Sequence, residues 1–165
     1  MIVRDKVAVT VRAMRHADLE QAACVHRLAF VRQEHSLEWL TATLAAHPRF
    51  LCYVAQVQGA LAGYILWAQK SGFREQAVLE LDQIAVLPER HGQGIGRALI
   101  DQSLPLVKAE LAHQGAALKH IIVTTRADNH AQQLYRSALG AEVVATIADL
   151  YSADEVFMVA RNTPL

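Results

Sequence analysis

A glycine-rich turn is the segment of this sequence whose residue types and spacing most directly suggest chemistry. Gly92, Gly94 and Gly96 lie between an apolar run that ends at Pro88 and an apolar helical pattern that follows Arg97. Because glycine has no Cβ, backbone N–H groups in such a turn can converge on one point, where a helix N-terminus also favours an anion. The turn predicts a phosphate-binding site, and a tight strand-to-helix turn without a ligand is the alternative.

Neither of the two common nucleotide-binding motifs fits these glycines. The P-loop motif requires a Lys and then a Ser or Thr after its last glycine, where this sequence has Arg97 and Ala98. The dinucleotide motif G-x-G-x-x-G, started at Gly92, requires a glycine at position 97. The spacing therefore points to a different phosphate-containing ligand.

The strand and the turn together resemble the signature of the GNAT superfamily of acetyl-CoA-dependent N-acetyltransferases. That signature is a strand ending in A-V-x-P and a turn of the form (Q/R)-x-x-G-x-(G/A). The sequence has Ala85-Val86-Leu87-Pro88 and then His91-Gly92-Gln93-Gly94-Ile95-Gly96, with His91 in place of the usual Gln or Arg. The segment ADNHAQQLYRSALGAE resembles the family's N-x-x-A-x-x-L-Y-x-x-x-G-F segment, so the resemblance covers nearly the whole chain.

The resemblance implies acetyl-CoA as the co-substrate and an amine as the acceptor. Main-chain N–H groups of the turn would hold the pyrophosphate of CoA, and the preceding strand would pair with its pantetheine arm. The implied cofactor-binding residues are Ile84, Ala85, Val86, His91, Gly92, Gln93, Gly94, Ile95, Gly96, Arg97, Asn129 and Tyr135. In this family the amine attacks the thioester directly. Cys24 and Cys52 are therefore not needed as nucleophiles, and we expect both to be buried free thiols.

Two carboxylates upstream of the turn are the candidate general bases. An amine that arrives as ammonium must lose a proton, and a carboxylate whose pKa is raised by desolvation can accept it. Glu80 and Asp82 are two residues apart on a predicted strand, so they share a face and raise each other's pKa if both are poorly solvated. Counted back from His91, Glu80 falls where histone-type members of the family carry their base. We expect Glu80 to be the base and Asp82 to tune it, and a surface ion pair is the alternative for either.

Tyr135 is, by the same resemblance, the acid that protonates the leaving CoA thiolate. It lies six residues after Asn129 and five before Gly140, where the family typically has seven and four. Aligning Asp128 with the family's Asn restores the first spacing. Because Tyr135 belongs to the apolar stripe of a predicted helix, a core tyrosine is the alternative.

The other residues that often carry chemistry form no recognisable site. The eight histidines contain no pair at i, i+3 or i, i+4, and Cys24 and His26 point to different sides of a helix, so no metal site is predicted. Trp39 and Trp67 are expected in the core. Of the two, Trp39 is the better candidate for an acceptor-side wall.

The composition excludes several other classes of protein. Of 165 residues, 53% are hydrophobic and 19% charged, which argues against disorder and for one domain with a substantial core. Lys and Arg together number 16, equal to Asp and Glu, so the basic excess of a nucleic-acid-binding protein is missing. Charges at residues 4–6 interrupt any signal peptide, and no window holds the ~18 apolar residues of a membrane span. Two cysteines are too few for a disulfide framework, so we expect a soluble, cytoplasmic protein.

The hydrophobic periodicity predicts the elements that must position these residues, in the order β-α-α-β-β-β-α-β-α-β-β. They are a strand at 7–11, helices at about 17–29 and 36–44, hairpin strands at 50–57 and 60–69, a strand at 77–87, a helix across Pro105 to about 112, a strand at 121–125, a helix at 131–139, and strands at 142–148 and 155–160. Pro105 should bend its helix. The order indicates an α/β fold, which the resemblance specifies as a GNAT-like mixed central β-sheet flanked by helices on both faces. A single N-acetyltransferase domain would span residues 1–165, with its core at about 8–162.

We therefore expect an acyltransferase that moves an acetyl group from acetyl-CoA to a primary amine of a small molecule, a peptide or a protein. Its partners would be acetyl-CoA and the amine acceptor, without nucleic acid or membrane, and the closing strands could mediate a homodimer. Acceptor specificity would lie in the first two helices and the Lys70–Glu75 loop. One alternative is a non-catalytic acyl-CoA-binding or interaction module of the same fold, and a second is another phosphate-ligand enzyme that reuses the turn.

Overall fold

A computed structural model describes residues 7–161, and in these residues the strands and α-helices follow one another in the predicted order. The strands are β1 Thr10–Ala13, β2 Phe50–Val57, β3 Ala60–Gln69, β4 Gln76–Val86, β5 Ala117–Arg126, β6 Glu142–Ile147 and β7 Glu155–Arg161. The helices are α1 Leu19–Ala29, α2 Ser36–Ala45, α3 Ile95–His113 and α4 Ala131–Leu139. Residues 1–6 and 162–165 of the predicted domain lie outside the described residues.

Within the described residues, the seven strands form one mixed sheet in the order β1-β2-β3-β4-β5-β7-β6, and the four α-helices flank it. Strand β4 pairs with β5 in parallel, whereas the pairs β1–β2, β5–β7 and β6–β7 are antiparallel. A parallel pair needs a crossover connection, and α3 supplies it between β4 and β5. The predicted fold class is confirmed, and β4 is the central strand of the sheet.

The described residues group into two compact units. One comprises residues 7–66 and 83–105, and the other comprises residues 67–82 and 106–161. The expectation of a single domain stays a prediction.

The hairpin of β2 and β3 forms as its turn residues predict. Gln58 and Gly59 have φ of +52° and +78°, the left-handed backbone that a tight two-residue hairpin turn requires. Strand β1 pairs with β2 from Thr10, opposite Gln56, to Ala13, opposite Tyr53. The prediction of a strand at 7–11 is therefore wrong at both ends.

Helix α1 buries only part of the apolar face that the helical spacing of residues 22, 25, 28 and 29 predicts. Ala22 and Val25 are buried as expected, but Leu28 is 49% exposed and His26 is wholly buried. Cys24 is exposed, so the expectation of a buried thiol is wrong for it and right for Cys52. The core side of α1 runs through Ala22, Ala23 and His26, and Cys24 projects away from that side.

Helix α3 continues without a break across Pro105, as its periodicity predicts. Its apolar face is buried at Ile100, Val107 and Leu111, whereas Pro105 itself is exposed. An exposed position lets the ring project into solvent instead of the core. The bend that Pro105 should cause stays a prediction.

Strand β6, at the edge of the sheet in the second unit, is exposed along its whole length. Its neighbour β7, with which it pairs, is mostly buried. No helix of residues 7–161 is long and apolar enough to cross a membrane.

Candidate active site

The glycine-rich turn has the backbone geometry of an anion-binding site. Gly92 and Gly94 have φ of +76° and +80°, a conformation that side chains disfavour. A Cβ added at Gly94 would meet no atom within 4 Å, so the space in front of this residue is open. Helix α3 begins at Ile95, and the N–H groups of a first helical turn have no intrahelical acceptor. The turn therefore fits a phosphate group, with main-chain donors beside an open space.

The side chains of the turn are mostly engaged within their own segment. His91 Nε2 donates to the carbonyl oxygen of Val86 at 3.0 Å, and Arg97 Nε donates to Asp101 at 2.9 Å. Gln93 Oε1 is buried and accepts no hydrogen bond. These contacts leave main-chain N–H groups as the donors best placed for an anion. The assignment of His91 to Arg97 as cofactor-binding residues stays a prediction.

The end of β4 is fixed by an unusually close approach of β3. A Cβ added at Gly63 would lie 2.5 Å from the carbonyl oxygen of Ala85 and 3.3 Å from Val86 Cα, so only glycine fits there. Leu87 N also donates to Ala62 O at 2.8 Å. Sequence reasoning missed Gly63, although a glycine inside a strand pattern is a known signal of close backbone approach. The segment predicted to pair with pantetheine is therefore held in place from one side.

Glu80 and Asp82 share the half-buried face of β4, as their spacing predicts, but their surroundings differ. Glu80 Oε2 lies 2.9 Å from Lys70 Nζ in an ion pair. Asp82 Oδ2 is buried and has no hydrogen-bond partner. The pKa of Asp82 is raised to about 6, chiefly by burial and also by the charge of Glu80, while the charge of Lys70 opposes the rise. The pKa of Asp82 therefore lies closer to neutral pH than that of an ordinary aspartate, and the catalytic roles of Glu80 and Asp82 stay predictions.

Lys70 is the residue of this carboxylate group that sequence reasoning left in a loop. It directly follows β3, and its backbone N–H donates to Val78 O at 2.9 Å. This bond places Lys70 beside the strand that carries both carboxylates. Consecutive strands often pair, and a pairing of β3 with β4 would have predicted that Lys70 lies beside the carboxylates of β4.

Tyr135 is buried in α4, with 5% of its surface exposed. Burial raises the pKa of its phenol to about 12, so Tyr135 stays protonated at neutral pH. It belongs to the same unit as Glu80 and Asp82. Its assignment as general acid stays a prediction.

Asn129 organises the start of α4. Its Nδ2 donates to Thr125 Oγ1 and its Oδ1 accepts from the N–H of Ala131, each at 2.9 Å. Its side chain therefore caps the first turn of α4, whereas Asp128 pairs with Arg126. Its predicted contact with the cofactor stays a prediction.

The two tryptophans differ in exposure. Trp67 in β3 is wholly buried, as expected of a core residue. Trp39 in α2 is 49% exposed, so the expectation of a core position is wrong for it, and its place in an acceptor-side wall stays a prediction. Among residues 7–161, no group of three or more His, Cys, Asp or Glu side chains could hold a metal ion.

Comparison with known proteins gives a family and a set of similar structures. The family model described as Acetyltransferase (GNAT) family matches residues 14–141. The crystal structure of the ribosomal-protein-S18-alanine N-acetyltransferase from Escherichia coli is similar, with 21% identity, 96% of each chain covered and a TM-score of 0.72. No curated protein matches the chain.

Two further solved structures are similar to the chain. An aminoglycoside 6'-N-acetyltransferase complexed with coenzyme A has 16% identity and a TM-score of 0.73, over 94% of this chain and 98% of that one. Arabidopsis thaliana Naa50 in complex with the bisubstrate analogue CoA-Ac-MVNAL has 18% identity and a TM-score of 0.71, over 93% and 98%. At identities this low, the structural similarity shows a shared fold alone.

Proposed function

We propose that this chain, which belongs to the GNAT family of acetyltransferases, transfers an acetyl group from acetyl-CoA directly to a primary amine of a small molecule or a peptide. The observation that carries the proposal is Asp82, a partly buried carboxylate with a pKa raised to about 6. It lies on β4, the strand that leads into the phosphate-binding turn. One continuous stretch of chain, from β4 into α3, would thus supply both a base and the main-chain donors for CoA.

The acyl donor is assigned to the turn and to the end of β4. The N–H groups from Gly92 to Arg97 would bind the pyrophosphate, and Ile84 to Val86 would pair with the pantetheine arm. The positive φ of Gly94 and the open space before it support this assignment. Coenzyme A in the structure of the similar aminoglycoside 6'-N-acetyltransferase also supports it.

The base in this proposal is Asp82, with Glu80 held by Lys70. The ammonium acceptor gives a proton to Asp82, its nitrogen forms a bond to the thioester carbonyl carbon, and the C–S bond then breaks. A base with a pKa near 6 is ionised at neutral pH and binds a proton more tightly than an ordinary aspartate does. Glu80, engaged 2.9 Å from Lys70, keeps a negative charge near Asp82 and so helps to raise its pKa. The sequence pattern predicts the reverse, with Glu80 as the base and Asp82 as the residue that tunes its pKa.

Tyr135 is assigned to the leaving sulfur as a hydrogen-bond donor. Its pKa of about 12 lies above the pKa of a free thiol, about 8.5, so full transfer of the phenolic proton to a thiolate is uphill. A hydrogen bond from the phenol would still stabilise the developing thiolate. The sulfur would then take its proton from water or from the proton released by the amine.

Thiol release from acetyl-CoA tests the proposal. The purified chain is incubated with acetyl-CoA and a panel of amino acids, peptides with free N-termini, polyamines and aminoglycosides, and CoA release is followed with and without each amine. Amine-dependent release with an acetylated product supports the proposal. Calorimetric binding of acetyl-CoA without release for any amine would instead support a non-catalytic acyl-CoA-binding module.

A further inference from the structure

Lys70 places a primary amine directly beside the carboxylates of β4. Its Nζ lies 2.9 Å from Glu80 Oε2, and the two side chains are 40% and 16% exposed. Once it loses its proton, the Nζ of a lysine is a primary amine, which is the acceptor class of the proposed reaction. Lys70 therefore meets the chemical requirement for an acceptor within the chain itself.

The backbone of Lys70 is held in place, whereas its side chain is long. The N–H of Lys70 donates to Val78 O at 2.9 Å, which keeps residue 70 beside β4. Ser71 and Gly72 follow with φ of +59° and +87°, so the chain turns immediately after Lys70. The four-carbon stem then carries Nζ to Glu80, two residues beyond Val78. A fixed backbone with a flexible stem keeps the amine at a high local concentration near the carboxylates.

Lys70 is also coupled electrostatically to Asp82, the base of the proposed reaction. Burial raises the pKa of Asp82, and the positive charge of Lys70 opposes that rise. Lys70, Glu80 and Asp82 all belong to the same compact unit. The amine of Lys70 therefore lies within the electrostatic reach of the group that must take a proton from the acceptor.

We propose that Lys70 is a self-acetylation site, at which the chain transfers the acetyl group of acetyl-CoA to its own lysine when no other amine is present. The inference rests on the proposed function. Lys70 Nζ gives one proton to Asp82, and its lone pair forms a bond to the thioester carbonyl carbon. The C–S bond then breaks, and the thiolate takes the second proton that the nitrogen loses. The products are N-acetyllysine at position 70 and CoA as the thiol, and Asp82 releases its proton to water.

Acetylation of Lys70 changes the electrostatics of the site. An acetylated lysine carries no charge, so it cannot form the ion pair with Glu80. The pKa of Asp82 then rises, because the charge that opposed its rise is gone. A smaller fraction of Asp82 is ionised at neutral pH, and an external amine is used more slowly. Self-acetylation is thus a feedback that lowers activity when acetyl-CoA is abundant and the amine is scarce.

Uncatalysed acetylation by acetyl-CoA is the alternative source of the same product. The other described lysines, Lys108 in α3 and Lys119 in β5, are both exposed and belong to the same unit as Lys70. An uncatalysed reaction would favour these exposed amines over Lys70, which is engaged by Glu80. Lys108 and Lys119 are therefore internal controls in every measurement.

Four proteins test the inference: the parent, Lys70→Arg, Asp82→Asn and Lys119→Arg. Lys70→Arg keeps a positive charge beside Glu80 and removes the acceptor, and Lys119→Arg makes the same change at an exposed lysine. Each protein is incubated with acetyl-CoA that carries an isotopically labelled acetyl group, without any amine. Peptide mass spectrometry then gives the rate of labelling at each lysine, at several protein concentrations. Melting temperatures check that every variant is folded.

In the parent, Lys70 should be labelled at least about tenfold faster than Lys108 or Lys119, with a rate constant that does not depend on protein concentration. Asp82→Asn should slow the labelling of Lys70 by about 10²-fold, and Lys119→Arg should leave it unchanged. Lys70→Arg should lose the fast labelling and keep the slow labelling of the exposed lysines. Equal labelling of the three lysines, an unchanged rate in Asp82→Asn, or a rate constant that rises with protein concentration would overturn the inference.

The feedback has its own readout. After complete labelling of Lys70, the kcat/KM for an accepted amine should fall at neutral pH, with the midpoint of its pH profile moved upward. Lys70→Arg, treated in the same way, should keep its profile. A labelled parent with an unchanged profile would overturn the feedback.

The same measurements separate this inference from the proposed function. Amine-dependent release of CoA together with an unlabelled Lys70 would overturn the inference and leave the proposed function standing. Labelling of Lys70 that depends on Asp82, without turnover of any added amine, would support the inference and count against an external amine acceptor. No labelling and no release would count against both.

Discussion

Asp82→Asn should stabilise the protein and inactivate it with one substitution. The partly buried carboxylate of Asp82 has a pKa of about 6, above its ordinary value of 3.8. Folding therefore favours the protonated form, and its stabilising effect is present below pH 3.8 and lost as the pH rises through about 6. Asparagine has nearly the same shape and never ionises, so the variant escapes this loss while it also lacks the base.

The size of the effect follows from the two pKa values. Moving a pKa from 3.8 to about 6 corresponds to about 3 kcal/mol of unfolding free energy at neutral pH. Asp82 is partly exposed, and screening by solvent reduces this to about 1–3 kcal/mol. The loss of a general base should lower kcat by about 10²–10⁴-fold.

Urea unfolding at several pH values, from about 4.5 to 8, measures the stability part of the prediction. The stability of the variant minus that of the parent should grow as the pH rises through about 6 and then level off. Thiol release measures the activity part, and the parent's kcat/KM for the amine should rise over the same pH range. A stability difference that stays constant with pH, or a variant with the parent's kcat, would refute the reasoning. If Glu80→Gln lowered kcat far more than Asp82→Asn does, the base would be Glu80, as the position of the residue in the family pattern predicts.

Three further predictions, one of them with a control variant, give distinct outcomes. Lys70→Ala should move the midpoint of the pH–rate profile above about 6, because the Lys70 charge lowers the pKa of Asp82; a midpoint that falls would contradict this. Gly94→Val should weaken acetyl-CoA binding about tenfold or more by calorimetry, since a φ of +80° costs a side chain about 1–2 kcal/mol, whereas Arg90→Ala should change the affinity little. Tyr135→Phe should lower kcat with an unchanged melting temperature, and turnover like that of the parent would make Tyr135 a core residue only.

The order of the elements and the glycine-rich turn could be predicted from the sequence because both are local. The alternation along β4 places Glu80 and Asp82 on one face, and that follows from strand geometry alone. The turn at Gln58 and Gly59 and the left-handed end of α4 at Gly140 are likewise determined by residues next to each other in the chain. Strand ends were less predictable, since β1 extends only where β2 offers partners.

The burial of residues on α1 shows where hydrophobic periodicity fails to predict the core. Periodicity assigned Leu28 to the core and gave no reason to bury His26, because it ranks residues by their own polarity. In the structure the partners of His26 come from Gln33 and Ser36, and these hydrogen bonds make a buried histidine acceptable. Such a partner set depends on how the chain returns after the helix.

The sequence by itself determined the family signature, the glycine-rich turn and the pair of carboxylates on β4. The tertiary structure decided which carboxylate forms an ion pair and which one has a raised pKa. Lys70, ten residues before Glu80, reaches Glu80 and leaves Asp82 Oδ2 buried and unpaired. The physical reason is that a pKa depends on desolvation and on nearby charges, and both are set by neighbours in space, which the spacing of residues along one strand does not specify.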